Sequence, residues 1–176
     1  MKKLLILDLD ETLIHATEYP QSDYDFVVGQ YKVFKRAYLE EFLEFCNETF
    51  EVAIWTSSTE NYAKEIVSEI LPKGFKLAFL WSRDRCTPTK DYSSDEIIWV
   101  KDLKKVKRQG YALANIIVVD DSPEKLKKNY GNLIRIKPFF EESDDELFLL
   151  KNYLKTLVDV ENIRSIEKRN WRRLDL

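Results

Sequence analysis

Long apolar runs are missing from this chain, and no hydrophobic stretch approaches the length of a membrane-spanning helix. Cysteine is scarce: Cys46 and Cys86 are the only two in 176 residues. A disulfide framework is therefore not called for, although a single bridge between the two is left open. A dominant charge of one sign is also absent. The 28 basic residues face 31 acidic ones, a net charge of −3, which gives no general field for attracting nucleic acid or an anionic membrane. Internal repeats, low-complexity tracts and linkers are not found. Met1-Lys2-Lys3 leads directly into an apolar strand and not toward a signal-peptide cleavage site, so a reduced cytoplasmic protein is the expectation. What is present is a folding composition, 44% apolar and 13% aromatic, on a length that suits one well-cored domain over 1–176 and is short for two.

The organising stretch is Leu4-Leu5-Ile6-Leu7-Asp8-Leu9-Asp10. Its apolar run is too short for an ordinary helix and reads as a strand buried on both faces, as in parallel sheets. Asp8 and Asp10 follow at the strand's C-terminal end, where open α/β sheets place ligands. Like charges this close call for something cationic between them, a metal or a proton. By itself the segment equally fits a strand followed by an ordinary Asp-rich turn with no site.

Further along, Asp25–Phe34 has β-branched and aromatic residues around Gly29, the pattern of a β-hairpin. Tyr38, Leu39, Phe42, Leu43 and Cys46 recur at helical spacing. Val52–Trp55 reads as a second buried strand, and Thr56-Ser57-Ser58-Thr59 offers hydroxyl caps for a helix ended by Pro72 and Gly74. Leu77–Trp81 and Ile97–Val100 read as strands around a polar insert, 82–96. Ile116–Val119 is another buried strand, after which Ser122 and Pro123 open a helix through Tyr130. Leu133–Ile136 closes the strands, and Asp144–Val158 is a last long helix. Alternating strands and helices predict an α/β fold with a mostly parallel, doubly wound sheet.

The residues after each strand carry the chemistry. Asp8 and Asp10, Thr56, Lys101, and the pair Asp120-Asp121 all follow buried strands, and in a parallel sheet those ends share one edge. Carboxylates gathered there form an all-oxygen site suited to Mg²⁺. A hydroxyl and an ammonium beside it match the charge on a phosphoryl group in its transition state. A carboxylate beside both metal and phosphorus can act as a covalent nucleophile.

Asp8-Leu9-Asp10-Glu11-Thr12 resembles the DxDx[TV] signature of the haloacid-dehalogenase-like (HAD) superfamily. The longer run through Leu13-Ile14-His15 is similar to its branch of small C-terminal-domain phosphatases and NLI-interacting-factor-like proteins. Ile54-Trp55-Thr56-Ser57-Ser58, Trp99-Val100-Lys101-Asp102-Leu103 and Val118-Val119-Asp120-Asp121-Ser122-Pro123 resemble the following motifs, in order, and the likeness extends from residue 3 to about 165. It implies a three-layer Rossmann-like HAD fold with β-hairpin insertions and no large cap. Position by position it implies Asp8 as nucleophile and Asp10 as acid, then base. Mg²⁺ would be held by Asp8, the Asp10 carbonyl and the acidic pair, with Asp121 the direct ligand and Asp120 behind it. Thr56 and Lys101 would grip the phosphoryl group, with Thr12 and Ser57 beside them. Arg83 would help hold the phosphate, with Arg85 as the alternative register, and Tyr62 would supply an aromatic to the substrate pocket.

The short spacing between motifs leaves no room for a cap that would close over a small metabolite, and an open cleft suits phosphoserine or phosphothreonine displayed on a protein. Thr59 stands where family members reading a proline-rich tail have an apolar residue, which does not favour a polymerase-tail peptide. Other readings are a small-molecule phosphatase or phosphotransferase on the same site, and a binding module that keeps the fold without turnover. The intact Asp8 and Asp10 speak against the last. A response-regulator receiver carries its acidic pair at the first strand and its acceptor Asp after the third, whereas here a second acidic pair, Asp120-Asp121, comes after Lys101, which is the wrong order. His15, the one histidine, reads as support for the catalytic loop, because Asp10 already fills the acid/base role. Cys46 reads as core. Cys86 has no partner for a catalytic dyad or zinc cluster. The lysines of 101–108 beyond Lys101 read as a solvated helix face, and Arg164–Arg173 as a partner site or a frayed tail.

Overall fold

The computed structural model describes residues 2–91 and 95–173. The first buried run forms β1 (Leu4–Leu7), which lies at the middle of a five-stranded parallel sheet. On one side it pairs with β5 (Glu51–Trp55) and then β6 (Leu77–Trp81); on the other with β9 (Ile116–Asp120) and then β10 (Leu133–Arg135). The strand order turns back at β1. This is the switch point where an α/β sheet opens a crevice beyond its carboxyl ends.

Strand alternation sorts the sheet into two cores. Leu5, Leu7, Val52, Ile54, Ile117 and Val119 face one side, against the apolar faces of α1 (Leu39–Thr49), α2 (Glu60–Ile70) and the last long helix, Glu146–Leu157. Leu4, Ile6, Ala53, Trp55, Ile116 and Val118 face the other, against Leu103, Val106 and Leu126. The layers are those of an α/β Rossmann-like fold. Cys46 lies in the first core and Cys86 in the second; both are free thiols. Among the described residues no helix is long and apolar enough to cross a membrane.

Two elements differ from the sequence reading. The expected helix through Tyr130 is two separate 3₁₀ turns, Pro123–Leu126 and Tyr130–Asn132. Asn129 breaks the spiral at φ −143°, and its side-chain carbonyl instead accepts the Leu103 N–H at 3.2 Å. Likewise, Ile97–Val100 (β8) is not a strand of the parallel sheet. It pairs antiparallel with β7 (Thr87–Lys90), which lies inside the supposed polar insert, in a two-stranded ribbon. Residues 92–94 of that insert lie outside the described residues.

The expected hairpin is present as β3 (Phe26–Val28) and β4 (Tyr31–Lys35), with Gly29 at φ 58° in the turn. A further strand that the periodicity did not show, β2 (Ile14–Thr17), joins it in a three-stranded antiparallel sheet. Of the Arg164–Arg173 stretch, Trp171 is buried with its indole N–H on the Arg135 carbonyl at 2.9 Å, so this stretch docks on the domain and does not fray.

Candidate active site

The turn after β1 is held tightly by its own backbone. The amides of Thr12, Leu13 and Ile14 converge on the Leu9 carbonyl at 3.1, 2.8 and 3.2 Å, while Glu11 takes a left-handed conformation, φ 56°. Arg36 braces the turn from outside. Fully buried, it donates to the Thr12 carbonyl at 2.9 Å and the Lys137 carbonyl at 2.9 Å, and pairs with Asp144 at 2.5 Å. Asp8 and Asp10 are thus fixed in place, side by side at the end of β1. Their partners are of different kinds.

Asp8 is buried between two ammonium groups. Lys101 Nζ stands 2.9 Å from its Oδ1 and Lys125 Nζ 3.1 Å from its Oδ2. Burial alone would favour the neutral acid, but the two lysines outweigh it and hold Asp8 at a pKa of about 2. It is a carboxylate throughout the neutral range.

Asp10 meets hydroxyls instead. Tyr62 Oη donates to its Oδ1 at 2.5 Å, Ser58 Oγ to its Oδ2 at 2.7 Å, and Thr56 Oγ1 to its Oδ2 at 3.4 Å. Burial and the neighbouring Asp10 charge push the Tyr62 phenol well above its ordinary pKa, which keeps it a donor. Among the described residues no Lys or Arg pairs with Asp10. The hydroxyls after β5 therefore turn toward the site. At Thr59, which precedes α2, no side-chain capping bond forms, contrary to the sequence reading.

Lys101 arrives by a route the sequence did not show. It ends the β7–β8 ribbon, and its backbone N–H donates to the Lys125 carbonyl at 2.8 Å, docking the ribbon on the 3₁₀ turn after β9. Its ammonium, fully buried, bridges Asp8 to Asp120 Oδ2 at 2.6 Å. Burial and the charge of Asp8 raise the pKa of Asp120. Asp120 is thus occupied with Lys101. Asp121 points differently: Ser122 Oγ donates to its Oδ2 at 3.1 Å, and its buried Oδ1 has no hydrogen-bond partner. Asp8, Asp120 and Asp121 each offer an oxygen, all within 4.8 Å of one another. Three carboxylates around an unsatisfied oxygen are a donor set that fits a hard divalent cation such as Mg²⁺.

A cleft of about 380 Å³ opens beside this cluster, lined among others by Asp10, Glu11, Ser57, Tyr62, Arg83 and Lys125. Arg83 lies over the Trp99 ring, 5.2 Å from its centroid, and its Nε donates to the Ser57 carbonyl at 2.6 Å. Arg85 instead packs on Trp81, 4.7 Å away, outside the cleft lining. Thr12 is completely buried with an unpartnered hydroxyl, whereas its carbonyl serves Arg36. His15 Nδ1 lies 3.1 Å from Glu11 Oε1, and the ring packs edge-on to Phe140.

Three site residues escaped the sequence reading. Lys125 is one of several lysines in 124–128, and nothing in the spacing marks it. Ser58 lay in a run read as caps. Glu11 lines the cleft with its pKa raised to about 7, by burial first and then by the charges of Asp10, Asp121 and Asp8. Only its place inside the DxDx[TV] signature was a usable signal.

The family model for NLI interacting factor-like phosphatases matches residues 3–164. A Dictyostelium discoideum "CTD small phosphatase-like protein 2" is 36% identical over 91% of this chain, which spans 28% of that protein. A "Probable C-terminal domain small phosphatase" from the same organism is 34% identical over 96% of this chain and 55% of its own length. The chain thus spans little more than half, or less, of these relatives. Among solved structures, the fission yeast RNA polymerase II CTD phosphatase Fcp1 bound to beryllium fluoride superposes with a TM-score of 0.58, at 21% identity, over 92% of this chain and 52% of that one. That likeness carries the fold.

Proposed function

The chain belongs to the NLI interacting factor-like phosphatase family, and on that premise we propose that it is a Mg²⁺-dependent phosphatase that hydrolyses phosphomonoesters through Asp8. The observation that carries this reading is the contrast between two carboxylates two residues apart. Asp8 is held ionised by Lys101 and Lys125, while Asp10 is held by neutral hydroxyls alone. A carboxylate fixed between two ammonium groups is suited to attack phosphorus, and its neighbour, without a fixed cation, is suited to move a proton.

In the first step an Asp8 oxygen attacks phosphorus in line, the bond from phosphorus to the ester oxygen breaks, and Asp10 gives its proton to that leaving oxygen. In the second, water attacks phosphorus, Asp10 takes its proton, and the electron pair of the Asp8–phosphorus linkage returns to the carboxylate, releasing inorganic phosphate. Microscopic reversibility asks both proton transfers of one group, and Tyr62, Ser58 and Thr56 keep that group aimed. Lys101 neutralises charge on Asp8 and the phosphoryl oxygens. Arg83 and Ser57 bind the phosphate from the cleft wall. Asp8, Asp121 and the Asp10 carbonyl would hold Mg²⁺, with Asp120 kept in place by Lys101; when bound, the ion supplies charge neutralisation to the phosphoryl group.

The cleft is open to one side and among the described residues no cap covers it, which suits a phosphate carried on a protein segment, phosphoserine or phosphothreonine. The buried free thiols fit a reducing compartment such as the cytoplasm. The test is phosphate release from an aryl phosphate, with Mg²⁺ and with chelator, for the wild type and Asp8→Asn. Release that needs both the metal and Asp8 supports the reading. Release that survives Asp8→Asn rejects it, and a wild type that binds Mg²⁺ without turnover on aryl phosphate, phosphoserine or phosphothreonine peptides points to a binding module.

A further inference from the structure

The metal-binding carboxylates already have a cation among them. Lys125 Nζ lies 3.1 Å from Asp8 Oδ2, 3.7 Å from Asp120 Oδ1 and 4.0 Å from Asp121 Oδ1. Among the described residues it is the one ammonium that reaches all three carboxylates; Lys101 reaches Asp8 and Asp120 only. The two lysines also differ in freedom. Lys101 is sealed, with 0% of its side chain exposed and both of its contacts shorter than 3 Å. Lys125 is 18% exposed, makes longer contacts, and lines the open cleft, so its flexible stem has somewhere to go.

We propose that Lys125 is a tethered counter-cation of the Asp8–Asp120–Asp121 cluster that competes with the metal ion for it. This rests on the reading of those carboxylates as the metal site. Without metal, the Lys125 ammonium relieves the repulsion among three converging carboxylates. Metal binding requires it to leave, and the cleft beside it is where it goes. Metal affinity is therefore set below what the carboxylates alone would give. The 3₁₀ turn serves this arrangement, because Lys125 N–H bonds to the Ser122 carbonyl at 3.1 Å and its carbonyl holds Lys101, fixing the root of the side chain while its end stays exchangeable.

The experiment is calorimetric titration of the whole chain with Mg²⁺ in the absence of any substrate, for the wild type, Lys125→Gln and Lys125→Arg, with Lys125→Ser as a second neutral variant. Removing the charge leaves three carboxylates facing one ammonium. Binding should tighten by about tenfold or more, a modest share of the Coulomb term between charges a few ångströms apart. Lys125→Arg should stay within about twofold of the wild type if charge is what matters. In chelator, the neutral variants should unfold at lower temperature than the wild type, and Mg²⁺ should close that gap; a variant that folds only when Mg²⁺ is added supports the same conclusion. Equal or weaker Mg²⁺ binding in the neutral variants overturns the competition while leaving the metal site standing, as does Lys125→Arg tightening as much as Lys125→Gln. No Mg²⁺ uptake by any of the proteins overturns the metal site itself, and this inference with it.

Discussion

Tyr62 Oη donates to Asp10 Oδ1 at 2.5 Å, so the aromatic that sequence likeness put in a substrate pocket is bonded to the carboxylate proposed above to carry the proton. Tyr62 reaches across from α2, one helical turn beyond the β5 loop whose Ser58 holds the other Asp10 oxygen. The Asp10 carboxylate is therefore aimed by a neighbouring element and not by its own turn. Tyr62→Phe removes one hydrogen bond to a charged group, worth about 1.5–3 kcal/mol when lost. Turnover of an alkyl phosphate, whose leaving oxygen needs a proton, should fall by at least about tenfold. An aryl phosphate should suffer less. Steady-state kinetics on the two substrates check this, and equal losses would show that Tyr62 does not act through Asp10.

Asp10→Asn should show the same preference more strongly. Loss of a general acid costs on the order of 10²–10⁴-fold where the leaving group is poor. Parallel assays with alkyl and aryl phosphates read the ratio directly, and an unchanged ratio would remove Asp10 from the acid role.

The Arg36–Asp144 pair supports the turn that carries Asp8 and Asp10 from a distance. Arg36 is fully buried, and removing its carboxylate leaves a guanidinium without its counter-charge, a change that costs about 3–5 kcal/mol in comparable settings; Asp144 is itself 28% exposed, so the lower end applies. Urea unfolding of Asp144→Asn measures it. The pH dependence has a definite sign. Burial favours the neutral form of Asp144, but the Arg36 hydrogen bonds and charge outweigh it and lower its pKa in the fold. Its contribution is therefore complete above the unfolded value near 4 and drains as pH falls through the lower folded value. The gap between the wild type and Asp144→Asn should close on acidification and stay constant from about pH 5 upward.

Arg83→Ala should raise KM for a phosphomonoester by about tenfold, the loss of roughly one charge-assisted hydrogen bond, with a smaller change in kcat. Arg83→Lys should recover little, because Lys cannot both stack on Trp99 and donate from Nε to Ser57 as this side chain does. Full recovery by lysine would mean that only the charge matters.

The sheet was legible because four short apolar runs, at Leu4, Val52, Ile116 and Leu133, are too short for ordinary helices and read as buried strands, and all four lie in it. The site residues that close each strand follow from that placement. What was not legible depends on contacts between distant segments. Ile97–Val100 has the composition of a sheet strand, but pairs with Thr87–Lys90, a Pro-containing run that reads as loop. Lys101 enters the site through that ribbon and a bond to the Lys125 carbonyl, neither visible in local pattern. Lys125 itself sits among Glu124, Lys127 and Lys128, and only the 3₁₀ geometry selects it to face Asp8. Ser58 and Thr59 carry the hydroxyls of an N-cap, and the half-buried Asp10 carboxylate claimed the first of them.

The measurement closest to the central claim is capture of phosphate on the nucleophile. Asp10→Asn should still be phosphorylated by an aryl phosphate in Mg²⁺, since that leaving group needs no proton, yet lack the base that clears the intermediate. Acid quench, digestion and mass spectrometry should then find the phosphoryl group on Asp8, at a stoichiometry that exceeds the wild type's and vanishes in the Asp8→Asn, Asp10→Asn double variant. No adduct during turnover, or an adduct on any other residue, would contradict the account.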